Sequence, residues 1–257
     1  MLQSAAPAQP IRLTPLKSNV AMTASKATAA SSSCCLLGGC LPCGLNGREL
    51  DLCNDLVTTQ RRIARGASVY RSGDTFDFLY SVRSGAFKTL SLSRHGDEKI
   101  TGFHLAGEML GLEGISAGRH GYDAVALEQS QVCELPFAAL EKRSLKVPAL
   151  QRQLFRILSS DISRDQGLML LLGSMAAEQR LAAFLLSLSR RYQRLGFAAD
   201  RFILCMTREE IGSYLGLTLE TISRLLSRFR REGLICVHQR EIELRNAGSL
   251  RDLVGHW

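Results

Sequence analysis

The sequence predicts an α+β fold in which an antiparallel β-barrel or sandwich precedes a long helix and a C-terminal winged helix-turn-helix. Short β-rich runs separated by glycine turns fill residues 60–136, which is typical of antiparallel sheets. Apolar residues recur at steps of three and four through 146–176, as they do in a helix that pairs with another helix. Two capped helices and a hairpin follow within 207–244, which completes the winged motif.

The composition narrows the functional class. The chain has 257 residues, of which 46% are hydrophobic, and a formal net charge of +8. The positive charge favours a polyanionic partner. No apolar run approaches the ~18 residues of a membrane span, and no continuous apolar core of a secretory signal is visible. We therefore expect a cytoplasmic protein without membrane contact, in which clustered cysteines indicate metal or redox chemistry.

The first 53 residues divide into two segments. Residues 1–33 are rich in Ala, Ser, Thr and Pro and lack acidic residues, so we expect them to be disordered. Residues 34–53 hold five of the eight cysteines. Cys40-x2-Cys43, preceded by Cys34 or Cys35, is a spacing that an iron–sulfur cluster accepts. Zinc is the competing metal, and a flexible segment of unligated thiols is the third interpretation.

The β-rich part is predicted to form one domain over residues 54–145. Its strands include FLYSV, AFKTLSL, KITGFHL and the last strand, QVCELPF. Cys133 lies in that last strand. Considered alone, it is expected to be a buried core residue.

Residues 146–177 are predicted to form a dimerisation helix. Its seam comprises Phe155, Leu158, Ile162, Asp165, Met169, Leu172 and Ala176. If the helix pairs with its own copy, two Asp165 carboxylates approach each other, and burying like charges is costly. The sequence thus predicts a deliberately weak dimer, unless Asp165 lies on the solvated rim. Leu158, Ile162 and Met169 would form the switch with it.

Residues 178–257 are predicted to form the winged helix-turn-helix domain. EQRLAAFLLSLSRRYQRLGF reads as an amphipathic helix, RFILCM as a strand, and LICVHQREIEL as a hairpin that turns near Gln239-Arg240. Cys205 and Cys236 fall in these strands and are expected in the core.

The stretch Thr207–Gly233 carries the strongest local signals. Thr207 and Glu210 match a capping box, and Gly216 stops the first helix at the turn. Thr218 can cap the second helix, and Gly233 occupies the position of a terminating glycine.

The two faces of this second helix differ in chemistry. The buried stripe is predicted to be Ile222, Leu225, Leu226 and Phe229; the opposite face carries Glu220, Ser223, Arg224, Ser227, Arg228 and Arg231. This layout suits docking in the DNA major groove. A solvated helix in an ordinary bundle is the alternative, but the arginines have no balancing Lys–Glu pairs in the pattern.

Five segments in order make the chain similar to the CRP superfamily, most closely to its FNR branch of oxygen-responsive transcriptional regulators. They are GDEKITGFHLAGE (96–108), VCELPF (132–137), QRQLFRILSSDISRDQGLMLLL (151–172), EQRLAAFLLSLSRR (178–191) and MTREEIGSYLGLTLETISRLLSRF (206–229). The resemblance implies a β-roll like that of cyclic-nucleotide-binding domains, a dimer helix and a winged helix.

The resemblance also implies how DNA is read. The family motif E-x-x-S-R falls on Glu220, Ser223 and Arg224, where glutamate can accept from cytosine and arginine can fork onto guanine. Thr218, Thr221 and Arg228 are further expected contacts. The implied partners are a palindromic operator with TTGAT-like half-sites, a second copy of the chain, and RNA polymerase.

A [4Fe–4S] cluster is the implied cofactor. Family members ligate it with three N-terminal cysteines and one that falls on Cys133. Alignment on Leu41-Pro42 assigns Cys40 and Cys34 as ligands but leaves Ser31 at the first position. Cys35 or Cys43 would then replace it, and Cys43 is preferred because adjacent Cys34 and Cys35 cannot easily face one cluster. If neither replaces it, the alternatives are a labile cluster, one held by three cysteines, or none.

The resemblance implies that this cluster favours the dimer and that oxygen reverses it. Thiol oxidation, zinc, haem and cyclic nucleotides are the alternative inputs. For a cyclic nucleotide, Gly107-Glu108 is present, but Arg119 is followed by His120 and no serine completes the phosphate contact. No catalytic constellation is evident, so we expect a regulator and not an enzyme.

Overall fold

The computed structural model describes residues 56–57, 59–93 and 96–255; Cys34, Cys35, Cys40 and Cys43 lie outside these ranges. The N-terminal elements are the strands β1 (Thr59–Ile63), β2 (Ser68–Tyr70), β3 (Phe78–Ser84), β4 (Ala86–Leu92), β5 (Glu98–Leu105), β6 (Met109–Leu110), β7 (Asp123–Ala126) and β8 (Ser130–Pro136), with the short helix α1 (Gly114–Ala117) between β6 and β7.

These strands form two antiparallel sheets, as predicted. One has the order β1-β8-β3-β6 and the other β2-β7-β4-β5. β8 lies between β1 and β3, with Cys133 opposite Gln60 on β1 and Ser81 on β3. The side chains between the sheets form an apolar cluster that includes Tyr70, Phe87 and Val132.

The turn between β3 and β4 requires glycine. Gly85 has φ +83°, and a Cβ at this position would lie 2.1 Å from Ser130 Oγ. Ser130 is fully buried at the start of β8. Its side chain therefore packs directly against the backbone of the turn at Gly85.

The C-terminal elements follow in the expected order. They are α2 (Phe137–Ser144), α3 (Pro148–Ser174), α4 (Ala177–Arg194), β9 (Arg201–Ile203), α5 (Arg208–Leu215), α6 (Leu219–Arg231), β10 (Ile235–His238), β11 (Glu241–Leu244) and α7 (Ala247–Val254). β10, β11 and β9 pair in that order. None of the described helices is both long enough and apolar enough to cross a bilayer.

The long helix α3 ends earlier than predicted. Met175 is extended, with ψ 143°, and Ala176 is the N-cap of α4. Ala176 therefore does not belong to the seam of α3. The apolar spacing in the sequence continues across Met175 because α4 begins only two residues after it.

The two C-terminal cysteines also differ from expectation. Cys205 is buried but follows β9, so it does not lie in a strand. Cys236 lies in β10 but is only half-buried. It faces outward, and its Sγ is 3.3 Å from His238 Nε2, so its assignment to the core was wrong.

Candidate nucleic-acid interface

Helices α5 and α6 are held at their ends by the predicted caps. The Thr207 side chain accepts a hydrogen bond from Glu210 N (3.1 Å), and Glu210 Oε2 accepts from Thr207 N (2.7 Å). Gly216 ends α5 with φ 64°, and Gly233 follows α6 with φ 69°. These contacts satisfy backbone groups that the helix ends would otherwise leave without partners.

The turn between the two helices depends on Gly212, a glycine that lies inside α5 and that the helix-end signals in the sequence do not mark. A Cβ on Gly212 would lie 2.6 Å from the carbonyl oxygen of Leu217. The Leu217 amide donates to the Gly212 carbonyl at 2.9 Å. The close approach of α5 to the turn sets the angle between the helices.

The back of α6 is apolar, as predicted. Ile222, Leu225, Leu226 and Phe229 are all buried. They belong to a large cluster that includes Leu181 of α4 and Ile211 of α5. The opposite face of α6 is consequently turned to solvent.

The predicted DNA-reading residues are in different situations. Glu220 and Arg224 are exposed, and Ser223 is half-buried. Ser223 Oγ accepts from Arg208 at 3.3 Å, a contact between α5 and α6 that sequence spacing alone did not reveal. The Ser223 hydroxyl is thus already hydrogen-bonded to the guanidinium of Arg208.

The two threonines act within the chain. Thr218 Oγ1 accepts from Thr221 N at 3.2 Å and lies 3.0 Å from Thr221 Oγ1. Both side chains are therefore already engaged in starting α6.

Arg228 is ion-paired, contrary to the expectation that the arginines of this helix lack balancing carboxylates. Its guanidinium contacts Glu178 of α4 at 2.5 Å and Glu232 at 2.7 Å. Glu178 could not be recognised as a partner from sequence spacing because it lies 50 positions from Arg228.

The wing is fixed to the rest of the domain by Arg240. Its guanidinium donates to the carbonyl oxygens of Leu204 (2.9 Å) and Cys205. Gln239 next to it has φ 56°, which makes the tight turn between β10 and β11.

The helix-turn-helix is docked on the β-roll through β4 and β5. Lys88 Nζ lies 2.9 Å from Glu210 Oε1. Ser213 Oγ accepts from Ile100 N at 3.1 Å, and the Ser213 carbonyl accepts from Lys99. Helix α5 is thus held directly by the N-terminal sheet.

A buried ion pair strengthens this docking. Arg191 of α4 donates through Nε and Nη2 to the two carboxylate oxygens of Glu108, at 2.8 and 2.6 Å. Arg164 of α3 lies 3.7 Å from the same carboxylate. Burial alone raises the pKa of Glu108, but the two guanidiniums outweigh it and lower the pKa to about 2.

His104 lies beside this group of charges. Burial, reinforced by the Arg164 cation, lowers the pKa of His104 to about 3, so its ring is neutral near pH 7. Glu108 is committed to protein cations, which argues against the ribose contact weighed for a cyclic nucleotide.

Cys133 is the one proposed cluster ligand that the structure describes. It is 1% exposed and shares a strand face with Leu135, two residues on. Leu135 packs in a cluster with Leu56 and with Leu150 of α3. This face therefore meets both the chain that follows the cysteine-rich segment and the start of the long helix. Within the described ranges, no group of three or more His, Cys, Asp or Glu residues could hold a metal.

The seam of α3 is largely open to solvent in the single chain. Phe155, Ile162 and Met169 are 59%, 57% and 73% exposed, respectively. Asp165 is also exposed, and Leu158 is half-buried. The apolar row and its carboxylate thus lie on one accessible helix face.

Family models match both halves of the chain. Residues 60–143 match the cyclic nucleotide-binding domain, and residues 179–253 match the Crp-like helix-turn-helix domain. A solved structure, FixK2 from Bradyrhizobium japonicum, is similar with a TM-score of 0.71 and 32% identity, over 77% of this chain and 98% of that one.

Curated relatives are similar over most of their length. The transcriptional regulatory protein btr of Bordetella pertussis is 46% identical over 88% of this chain and 94% of that protein. The fumarate and nitrate reduction regulatory protein of Escherichia coli is 45% identical over 84% of this chain and 87% of that protein. With its β-roll, long helix and winged helix-turn-helix, the chain belongs to the CRP/FNR family of DNA-binding transcriptional regulators.

Proposed function

We propose that this regulator binds palindromic, TTGAT-like operator DNA as a homodimer and that oxygen controls this binding through a cysteine-ligated [4Fe–4S] cluster. The observation that carries the DNA-reading part is the solvent-facing side of α6. Glu220, Arg224 and Arg231 are exposed there, while the opposite side is anchored in the core.

The chemistry of base reading follows from this face. Glu220 lies in the first turn of α6, where its carboxylate can accept from cytosine N4. Arg224 lies one turn later, and its two terminal nitrogens can donate hydrogen bonds to guanine O6 and N7. Arg231 extends the same face toward the phosphates. Such pairs discriminate against a wrong base by about 1–3 kcal/mol each.

The dimer would form along α3. Exposed apolar rows of this length are normally covered by a partner, and a second copy supplies the matching row in a two-fold interface. Two copies of α6 would then lie about one DNA turn apart. The two Asp165 carboxylates would weaken the dimer when they approach, since like charges repel at close range.

Cys133, Cys34, Cys40 and Cys43 would hold the cluster, and the donor set fits because four thiolates are what such clusters require. When bound, the cluster supplies an oxygen-sensitive inorganic centre. Cys133 presents its thiol on the β8 face that includes Leu135, and Leu135 belongs to the same apolar cluster as Leu150 of α3. Ordering of the N-terminal chain against this face would therefore alter the packing at the start of the dimer helix. RNA polymerase would be the further partner of the DNA-bound dimer.

Two measurements test this proposal separately. DNA reading is tested by fluorescence anisotropy with a palindromic TTGAT duplex and a scrambled duplex; Glu220→Ala and Arg224→Ala should remove most of the preference. Sensing is tested by purifying the chain anaerobically and counting iron and labile sulfide per protomer. Cys43→Ala and Cys35→Ala then identify the fourth ligand. Metal-free anaerobic protein with unchanged DNA binding in air would refute the sensing part.

A further inference from the structure

Arg228 is enclosed by carboxylates of its own chain. Its Nη1 donates to Glu178 Oε2 at 2.5 Å, and its Nε donates to Glu232 Oε1 at 2.7 Å. The two contacts use different nitrogens, so they form together. The group of three side chains carries a net charge of −1.

The position of Arg228 on α6 explains why this pairing is informative. At about 100° per residue, Arg224 and Arg231 lie on the same side of the helix as Glu220, whereas Arg228 lies on the flank that faces α4. Arg224 and Arg231 form no ion pair within the described ranges. The solvent-facing side of α6 thus carries two unpaired guanidiniums, Arg224 and Arg231, while the guanidinium of Arg228 on the flank is neutralised.

The pairs contribute little to stability, because water and salt screen ion pairs at the protein surface. Glu178, Arg228 and Glu232 are 32%, 44% and 43% exposed, respectively. Their effect on DNA is different in kind. A guanidinium held by two carboxylates releases no counterion from a phosphate, while the carboxylates repel the DNA backbone.

We propose that Glu178, together with Glu232, withholds Arg228 from the DNA backbone and thereby limits the affinity of this protein for DNA. The inference rests on the proposed DNA-reading function and adds a residue outside the recognition helix to it. Arg228 is on this account a positioning residue that ties α6 to the first turn of α4, and not the direct DNA contact that its place in the sequence predicts.

The test is the salt dependence of binding to the palindromic duplex, measured by anisotropy between 50 and 200 mM salt. Each phosphate contact contributes about 0.9 to the slope of log K against log salt. Glu178→Gln/Glu232→Gln should steepen the slope by about 1.8, because the bound dimer carries two copies of Arg228, and should raise the affinity about tenfold at 50 mM salt. Arg228→Gln in the parent should leave the slope unchanged, and adding it to the double variant should abolish the gain.

Glu98→Gln/Glu141→Gln is the matched control, since it also removes two carboxylate charges, from exposed positions on β5 and α2. If the double variant gains no more than this control, or if Arg228→Gln lowers the parent slope by about 1.8, the inference is wrong. A parent that does not prefer the palindrome over the scrambled duplex would overturn the proposed function itself. Thermal melting of each variant confirms that the comparison is made between folded proteins.

Discussion

Glu108 of the β-roll and Arg191 of the C-terminal domain form a two-pronged ion pair, with N–O distances of 2.8 and 2.6 Å. The side chains are only 23% and 12% exposed. Arg164 of the long helix approaches the same carboxylate. One glutamate therefore joins the β-roll, the long helix α3 and the C-terminal helix-turn-helix domain.

Glu108→Gln should destabilise the protein by about 2–4 kcal/mol at pH 7, because it leaves the Arg191 charge buried without its partner. The pKa of Glu108 is lowered from 4.5 to about 2. Its stabilisation is therefore complete above about pH 4.5 and is lost as the pH falls toward 2. Urea unfolding at several pH values should show the two proteins converging over that window.

Arg201→Gln serves as the control for this loss. Arg201 is 58% exposed and lies 3.6 Å from Glu241 and Glu243, so its removal should cost less than about 1 kcal/mol. Equal losses for Glu108→Gln and Arg201→Gln would contradict a structural role for the buried pair.

Gly212→Ala should weaken the helix-turn-helix. The added Cβ would meet the Leu217 carbonyl at 2.6 Å, so the turn must shift, at a cost of about 1–3 kcal/mol. Operator affinity should fall with stability. Gly167→Ala in α3 is the opposite case, since nothing lies within 4 Å and alanine favours helix by up to about 1 kcal/mol. Chemical unfolding of both variants checks the sign of each change.

Asp165→Ala should strengthen the dimer in air. Removing the carboxylate eliminates the repulsion between the two copies of the exposed seam, and a gain of about 1–2 kcal/mol corresponds to a roughly tenfold lower dimer dissociation constant. Sedimentation velocity across a concentration series measures it. A dissociation constant no lower than that of Glu141→Ala would show that Asp165 lies outside the interface.

Cys133→Ala should abolish iron incorporation under anaerobic conditions, whereas Cys205→Ala should retain it. Both cysteines are buried, so the comparison controls for the loss of a core thiol. Iron retained in Cys133→Ala at the parental level would exclude Cys133 as a ligand.

The sequence was most informative where the signals are local. The Thr207–Glu210 capping box and the glycine at 216 act within a few residues, so their types and spacing predicted the ends of α5. The strands were predicted for the same reason, from short runs between glycine turns.

Contacts between distant segments could not be predicted in this way. Glu108 and Arg191 are 83 positions apart, and Glu178 meets Arg228 only because α4 crosses beside α6. Cys236 was assigned to the core because its strand is apolar, but a single hairpin face is buried and the alternation places Cys236 on the other. The break at Met175 escaped notice because the apolar spacing runs through it.

The most direct test of the whole account follows one anaerobic sample into air. Affinity for the palindromic TTGAT duplex and the sedimentation coefficient are measured before and after exposure, with iron counted in parallel. We expect a tight, iron-containing dimer that loses iron, dissociates and releases the duplex in air. A metal-free dimer that binds the duplex equally tightly before and after exposure would contradict it.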